Sequence, residues 1–459
     1  MNQVGFVKPR PGGLVKVKIE GLTVKGQGIG SYGEYQVLVR GSVPGDTVLG
    51  RFRKVRHRRR EGEARMVERI SESIERVDAA CEHFGVCGGC LWQDVPYDDQ
   101  IRLKEMLVKQ TLRPKDSVEI GPSLAAPAPY RYRNKMEFSV GTDGAGDVQI
   151  GLHPAGQFGS IFDLGRCELV PGLTSEIVEA VRTYANAHGV SAYDLRTHKG
   201  LLRFLTIREA TQTAEVMVIL TTSAEPFLEV DHLAAQLRSN FPRIEGVIHT
   251  INREKAQVAY GEENRVVAGK GSIRDRLGDF VFDVSAASFF QPNTLQAEAM
   301  FARVVSLCEL SGSERVLDVY CGTGGISLFL SRSARRVLGV EVSAEAIRDA
   351  ARNSAQNNVS NCEFMSGPAE DLLGQLCAQG DRFDVAVTDP PRAGMHHRAV
   401  RGLIDLAPDR IVYVSCNPAA LATDVATLEA HGYELDYLQL VDVLPQTPHC
   451  EVLARMRRT

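Results

Sequence analysis

From about residue 286 onwards, short hydrophobic strands alternate with helix-forming segments. The strands RVLDVY, RRVLGVEV and RIVYVS are each followed by a loop and then by a helical stretch. Such alternation favours a parallel sheet with helices on both faces, because each parallel crossover needs a connecting helix. We therefore predict that residues 286–459 form a doubly wound, Rossmann-like α/β domain that binds its ligand at the carboxyl ends of the strands.

The chain of 459 residues is longer than one hydrophobic core usually supports, so we expect a multidomain α/β protein. Residues 13–70 contain short strands separated by Gly and Pro, which is typical of a small β-barrel. A β-rich region with interspersed helices follows. The predicted domains are a barrel over 1–72, a central α+β domain over 73–285 and the α/β domain over 286–459.

Charge is distributed unevenly along the chain. The net charge is −4, but residues 8–70 carry 15 Lys/Arg and 6 Asp/Glu, which gives this segment +9 and leaves −13 elsewhere. A basic module on an acidic body indicates a polyanionic partner such as RNA. The densest part, residues 51–60, also fits a solvated charge run or a sorting tract. Arg131, Arg133 and Lys135 alternate, so we expect them on one strand face that either binds phosphate or is solvated.

The sequence predicts a cytoplasmic monomer without a membrane partner. No apolar run approaches the ~20 residues of a membrane span, and the opening MNQVGFVKPRPGG has no hydrophobic signal segment. In a reducing cytosol, ten cysteines indicate metal-binding or catalytic thiols rather than disulfides.

The loop DVYCGTGG (318–325) follows a strand and precedes a helix. Gly322 and Gly324 let a ligand come close to the backbone, and Glu341 ends the next strand, where a carboxylate accepts ribose hydroxyls. The loop lacks the G-x-G-x-x-G pyrophosphate pattern, which favours S-adenosylmethionine over NAD. In the DPPR motif, Asp389 is expected at a strand end, where it accepts hydrogen bonds from a substrate.

Cys416, in VSCNP, is expected at the end of a strand on the same sheet edge, as a nucleophile or as a buried strand cysteine. A thiolate there suits methylation at pyrimidine C5, because addition to C6 turns the ring into a nucleophilic enolate. Cytosine-C5 enzymes carry a cysteine in the motif that reads DPPR here, so uracil is favoured. The base would be Glu451, for which the alternative is a solvent-facing strand residue.

Cys81, Cys87 and Cys90 lie within ten residues and form an incomplete ligand set for zinc or for an iron–sulfur cluster. Cys167 is the remaining cysteine outside the predicted α/β domain, which makes it the candidate fourth ligand. Zinc stays open at this point. The other six cysteines are Cys308, Cys321, Cys362, Cys377, Cys416 and Cys450.

The motifs FFQPN (289–293), DVYCGTGG, DPPRAG, VSCNP and TPHCEV, in this order, resemble the RNA uracil-C5 methyltransferases of the TrmA/RumA type. The resemblance covers the whole C-terminal domain. It implies a class I methyltransferase domain with Cys416 as nucleophile and Glu451 as base. It also implies Phe289 beside a flipped base. The implied S-adenosylmethionine-binding residues are Gln291, Tyr320, Glu341 and Asp389.

The N-terminal part resembles the TRAM module, an OB-like RNA-binding barrel. Together with the cysteine loop it is similar to the branch of the family that modifies 23S rRNA, which implies rRNA as substrate and leaves tRNA as the alternative. The resemblance also implies a [4Fe-4S] cluster on Cys81, Cys87, Cys90 and Cys167. Cys450 in TPHCEV and Gly325 in the glycine loop depart from the family pattern. A non-catalytic iron–sulfur RNA-binding protein and a small-molecule methyltransferase are the competing hypotheses.

Overall fold

The computed structural model describes residues 8–459, so the first residues of the predicted barrel domain lie outside the described part. The N-terminal part is a closed barrel in the order β1-β2-β3-β5-β4. In β1, Val15, Val17 and Ile19 point inward and alternate with exposed Lys16 and Lys18, as expected for a barrel strand. The barrel strands are β1 (Leu14–Leu22), β2 (Gly28–Tyr32), β3 (Tyr35–Val39), β4 (Thr47–Arg56) and β5 (Glu61–Ser71).

After the cysteine loop, the chain forms the helix α1 (Tyr97–Leu112). The strand β6 (Glu119–Ile120) follows and joins the edge of the C-terminal sheet. These two elements lie within the predicted central segment, but Val108 and Val118 pack into the C-terminal core.

The central region is a seven-stranded sheet in the order β13-β12-β11-β10-β7-β8-β9. Its elements are β7 (Lys135–Thr142), β8 (Val148–Leu152), β9 (Phe162–Asp163), α2 (Gly172–Ala187), β10 (Leu202–Glu209), β11 (Val216–Thr222), α3 (Val230–Asn240), β12 (Ile244–Ile251) and β13 (Glu263–Gly269). The prediction that Arg131, Arg133 and Lys135 share one strand face is wrong, because β7 starts only at Lys135. Arg131, which precedes β7, has a left-handed φ of 54°, so the backbone there is not extended and its side chains do not alternate as in a strand.

A two-stranded ribbon, β14 (Ser272–Leu277) and β15 (Phe280–Ser285), leads into the C-terminal domain. There the predicted strand–helix alternation is confirmed. The elements are α4 (Thr294–Cys308), β16 (Arg315–Val319), α5 (Gly325–Ser331), β17 (Arg336–Glu341), α6 (Ala344–Gln356), β18 (Cys362–Ser366), α7 (Ala369–Ala378), β19 (Val385–Thr388), α8 (His397–Leu406), β20 (Arg410–Ser415), α9 (Pro418–Glu429), β21 (Tyr433–Val441) and β22 (Glu451–Arg458).

The C-terminal sheet has the order β18-β17-β16-β19-β20-β22-β21-β6. The strands from β18 to β20 are parallel, whereas β22 runs antiparallel to β20. The start of β22 therefore lies at the same edge as the ends of the parallel strands. This edge, next to the reversal of strand order between β16 and β19, is where α/β sheets bind ligands.

Buried charges fix the barrel to the rest of the chain. Asp46, which is fully buried at the start of β4, accepts a hydrogen bond of 2.8 Å from Arg76. Asp94, beyond the cysteine loop, pairs with Arg69 of β5 at 3.3 Å. Among residues 8–459, no helix has the length and apolar character needed to cross a bilayer.

Candidate active site

A cavity of about 690 Å³ opens at the carboxyl edge of the C-terminal sheet. Its volume lies within the range of ~300–1,000 Å³ that is usual for ligand pockets. Of the residues predicted for catalysis, base stacking and S-adenosylmethionine binding, all except Gly324 line this one cavity. The predicted lining residues are Phe289, Gln291, Tyr320, Gly322, Glu341, Asp389, Cys416 and Glu451.

The glycine loop forms one wall of the cavity. Tyr320, Gly322 and Gly324 have positive φ angles of 67°, 54° and 82°. A Cβ on Gly322 would meet nothing within 4 Å, so this position faces open space. A Cβ on Gly324 would lie 3.2 Å from the side chain of Ala350. Gly322 thus leaves room for a ligand, while Gly324 allows α5 to pack closely on α6.

Beneath the loop lies Asp318, which is fully buried and accepts a hydrogen bond of 2.6 Å from Ser327. Burial raises its pKa to about 7. Glu341 ends β17, and one of its oxygens accepts a hydrogen bond of 2.9 Å from the backbone N–H of Ser343. That contact orients the carboxylate at the N-terminus of α6, which leaves its other oxygen for a ligand.

Asp389 directly follows β19 and lines the cavity. Burial, and then the charge of Asp318, raise the pKa of Asp389 to about 7. The DPPR turn is fixed to the loop of the predicted nucleophile, because the side-chain amide of Asn417 donates to the carbonyl of Arg392 at 2.8 Å. Asn417 also caps α9 by accepting from the Ala419 N–H at 3.1 Å.

Cys416 directly follows β20 and is half-buried. Burial, followed by the charges of Glu451 and Asp389, raises the pKa of the Cys416 thiol to about 11, and Arg392 opposes this effect. This shift favours the protonated thiol over the thiolate. A nucleophilic role requires that its proton be taken up when a substrate is bound.

Glu451 is the first residue of β22 and faces Val441 across the β21–β22 hairpin. Ser415 pairs with Val452, which places Glu451 beside the strand end that carries Cys416. The Glu451 Oε2 atom is buried and has no hydrogen-bond partner among residues 8–459. Burial, and then Asp389, raise the pKa of Glu451 well above its usual range, although Arg392 lowers it. Because its Oε2 atom is buried, Glu451 is not the solvent-facing strand residue that was the alternative prediction.

The FFQPN loop closes the cavity from the side of the central domain. The amide of Asn134 donates to the Gln291 carbonyl at 2.7 Å. The buried guanidinium of Arg208 donates to the Ala286 carbonyl at 3.4 Å and to that of Ser288. Phe289 is held here with 65% of its surface exposed, although it lines the cavity.

Further lining residues were not predicted as site residues from the sequence. Arg392 follows the predicted DPP turn, and its charge acts on both Cys416 and Glu451. His449, two residues before Glu451, also lines the cavity. Burial lowers the pKa of His449, as do the charges of Arg392, Lys104 and Arg133. Arg392 lies in the DPPR motif and His449 in the TPHCEV motif, so both could have been identified from the sequence.

The cysteine loop lies away from this cavity, against the central domain. The Cys81 sulfur is 4.0 Å from the Arg166 carbonyl, next to buried Cys167. Burial raises the pKa of Cys90 to about 12, and the neighbouring thiols of Cys167, Cys87 and Cys81 add to the effect. The predicted four sulfurs are thus neighbours. Within the described part of the chain, no three His, Cys, Asp or Glu residues are spaced to hold a single metal ion.

Comparisons with known proteins cover nearly the whole chain. The family model for tRNA (uracil-5-)-methyltransferase matches residues 97–458. An uncharacterized RNA methyltransferase of Halalkalibacterium halodurans is 35% identical over 444 residues, which cover 96% of each chain. One from Clostridium tetani is 36% identical over 440 residues, which cover 95% of each chain. The crystal structure of Pyrococcus abyssi tRNA (uracil-54, C5)-methyltransferase in complex with S-adenosyl-L-homocysteine has 28% identity and a TM-score of 0.76, covering 96% of this chain and 100% of its own.

Proposed function

Since the chain belongs to the tRNA (uracil-5-)-methyltransferase family, as its motifs predicted, we propose that it methylates C5 of a uridine in structured RNA with S-adenosylmethionine as donor. The observation that carries this proposal is the pairing of Cys416 and Glu451 in one cavity. A thiol and an unpartnered carboxylate side by side are what addition to C6 and proton removal from C5 require.

Cys416 is the nucleophile in this scheme. Its sulfur forms a bond to C6, and the electron pair of the C5–C6 double bond moves to give an enolate at C4–O4. Its thiol proton passes to the Asp389 carboxylate, whose charge acts on the thiol, so that Glu451 stays free to accept a proton later. When bound, S-adenosylmethionine supplies the electrophilic methyl group that C5 takes up. Glu451 then accepts the C5 proton, the double bond reforms, and the C6–S bond breaks to release the thiolate.

The cavity offers the methyl donor both hydrogen-bond acceptors and open space. Gly322 leaves open space at the wall that the glycine loop forms. Glu341 has one carboxylate oxygen that is not bonded to Ser343, and Asp389 lines the same cavity. We assign donor binding to these residues with Gln291 and Tyr320. Phe289, largely exposed at the cavity, is placed to stack on the flipped uracil.

The RNA would be held by cations without carboxylate partners. Among the described residues, Lys16, Lys18, Arg51 and Arg53 on the outer face of the barrel are exposed and form no ion pair. Exposed, unpaired cations on one face suit a phosphate backbone. Arg392 and Arg133 place further positive charge around His449 at the cavity. A small-molecule methyltransferase would not need these surfaces.

We propose 23S rRNA as the substrate, on the resemblance of the barrel and cysteine loop to that branch. tRNA is the second candidate, because the similar Pyrococcus abyssi enzyme acts on uridine 54 of tRNA. The test is transfer of labelled methyl to rRNA and tRNA from a strain lacking the gene, followed by mapping of 5-methyluridine. Label in rRNA supports the proposal, and label confined to tRNA supports the alternative. Transfer to neither would refute the enzymatic function.

We further propose that Cys81, Cys87, Cys90 and Cys167 hold a [4Fe-4S] cluster. The four buried or half-buried thiols are neighbours. Burial raises the pKa of Cys87, and the Gly89 N–H, which donates to the Cys87 sulfur at 3.3 Å, opposes that effect. Four cysteine thiolates are the usual ligand set of a [4Fe-4S] cluster. Iron and sulfide in a ratio of one to one would support the cluster. Stoichiometric zinc without iron would refute it.

A further inference from the structure

The loop 442–450 joins β21 to β22 and ends at Glu451. Four consecutive carbonyls in this loop, from Val443 to Gln446, accept hydrogen bonds from parts of the chain outside the hairpin. The donors are Asn293 Nδ2 to Val443 at 3.1 Å, Lys104 Nζ to Leu444 at 3.2 Å, the Tyr132 hydroxyl to Pro445 at 3.0 Å, and the N–H groups of Leu91 and Trp92 to Gln446 at 2.9 and 3.2 Å.

Gln446 is the most connected residue of this loop. It is 2% exposed and has a left-handed φ of 67°. Its backbone N–H donates to Gln100 Oε1 at 2.9 Å, and its Oε1 accepts from Gln100 Nε2 at 2.9 Å. Its carbonyl accepts the two N–H groups that directly follow Cys90. A non-glycine residue holds a positive φ only where its surroundings enforce it, and here two different elements do so.

The carboxylate of Glu451 has no comparable support of its own. Its Oε2 atom is buried without a hydrogen-bond partner in residues 8–459. The position of this oxygen therefore depends on the Glu451 backbone, which is held by its pairing with Val441 and by the preceding loop, which the contacts of Gln446 fix. Small displacements of a reacting group lower catalytic rates strongly.

We propose that Gln446 is a positioning residue for Glu451, and that it couples the segment after Cys90 and helix α1 to proton removal from C5. The inference rests on the proposed function, in which Glu451 acts after methyl transfer. Loosening Gln446 should therefore spare formation of the Cys416–C6 bond and slow its cleavage. The consequence is a methylated RNA that stays covalently bound to the enzyme.

The test follows one turnover with RNA and methyl-labelled S-adenosylmethionine, quenched in detergent. The fraction of methylated RNA still bound to protein is measured over time. The variants are Gln446→Ala and Gln100→Ala, with Glu451→Gln as the reference for loss of the base. The matched control is Tyr433→Phe, which removes a buried hydrogen bond of 2.9 Å to the Pro408 carbonyl on the same sheet.

We expect wild type and Tyr433→Phe to release methylated RNA at the same rate, and Glu451→Gln to retain it. Gln446→Ala and Gln100→Ala should release it about 10- to 100-fold more slowly, with adduct formation changed less than about threefold. Release by both variants at the control rate would overturn the inference. If Glu451→Gln itself retained no adduct, the proposed role of Glu451 would fail instead. If Gln446→Ala does not fold, Gln100→Ala decides the question.

Discussion

Glu451 begins β22 beside the end of β20, and Cys416 directly follows that end. The pairing of Ser415 with Val452 brings two residues from distant motifs to one side of the cavity. Burial, and then the charges of Glu451 and Asp389, raise the pKa of the Cys416 thiol and so favour its protonated form. Because β22 runs antiparallel to β20, the proposed nucleophile and the proposed base lie at the same edge of the sheet.

The first prediction concerns pH. In the proposed mechanism Cys416 and Glu451 both act in the deprotonated form, and both have raised pKa values, so the reaction should be slow at low pH. As the pH is raised beyond about 8.5, the usual thiol pKa, the single-turnover rate of adduct formation should continue to increase. Arg392→Ala removes the charge that lowers both pKa values and should move the rise to higher pH. A rate that is constant from about pH 7 upward would contradict the raised thiol pKa.

The second prediction concerns stability. Lys104 Nζ lies 2.5 Å from Asp442 Oδ1, and both side chains are 0% exposed. Lys104→Ala leaves Asp442 as a buried charge without its cation, which should lower the free energy of unfolding by about 3–5 kcal/mol. Lys115→Ala removes an exposed pair with Glu429 and should change stability little. Equal thermal midpoints for the two variants would show that the buried pair does not stabilise the fold.

The third prediction concerns RNA binding by the barrel. Lys16→Ala and Arg53→Ala should weaken binding of any RNA and reduce the slope of log affinity against log salt by about one each. S-adenosylmethionine binding should stay unchanged, because neither residue lines the cavity. A control is Lys115→Ala, which removes an exposed lysine outside the barrel that is paired with Glu429. Unchanged slopes in both barrel variants would assign RNA binding to another surface.

The fourth prediction concerns the cysteine site. Cys167→Ser should lose bound iron, and by loosening the segment that holds Gln446 it should raise the fraction of trapped covalent RNA. Cys377→Ser, which changes a half-buried cysteine of the C-terminal domain, is the matched control for both measurements. Full iron content in Cys167→Ser would remove Cys167 from the ligand set. Iron loss without trapped RNA would separate the cysteine site from Glu451.

Several site residues were predictable because their positions follow from local patterns. Tyr320, Glu341, Asp389 and Cys416 each stand at the end of a hydrophobic strand, and parallel strand ends meet at one edge. The contact between Gln100 and Gln446 joins residues 346 positions apart, and no local pattern records it.

At the start of the central sheet, the alternation of basic residues led to a wrong prediction of a strand. The spacing of Arg131, Arg133 and Lys135 suggested a strand, but the backbone turns at Arg131. Arg131 and Arg133 donate their N–H groups to Glu168 and Leu169 at 2.9 Å, contacts with a segment distant in sequence. Tertiary hydrogen bonds decide this backbone, as they decide the left-handed Gln446.

The central claim is replacement of the C5 hydrogen of a uridine by a methyl group. RNA labelled with tritium at uridine C5 measures it directly, because each methylation at C5 must release one tritium. We predict equal amounts of released tritium and incorporated methyl, with both lost in Cys416→Ala and retained in the control Cys377→Ser. Methyl incorporation without tritium release would place the reaction at another atom and contradict the proposed roles of Cys416 and Glu451.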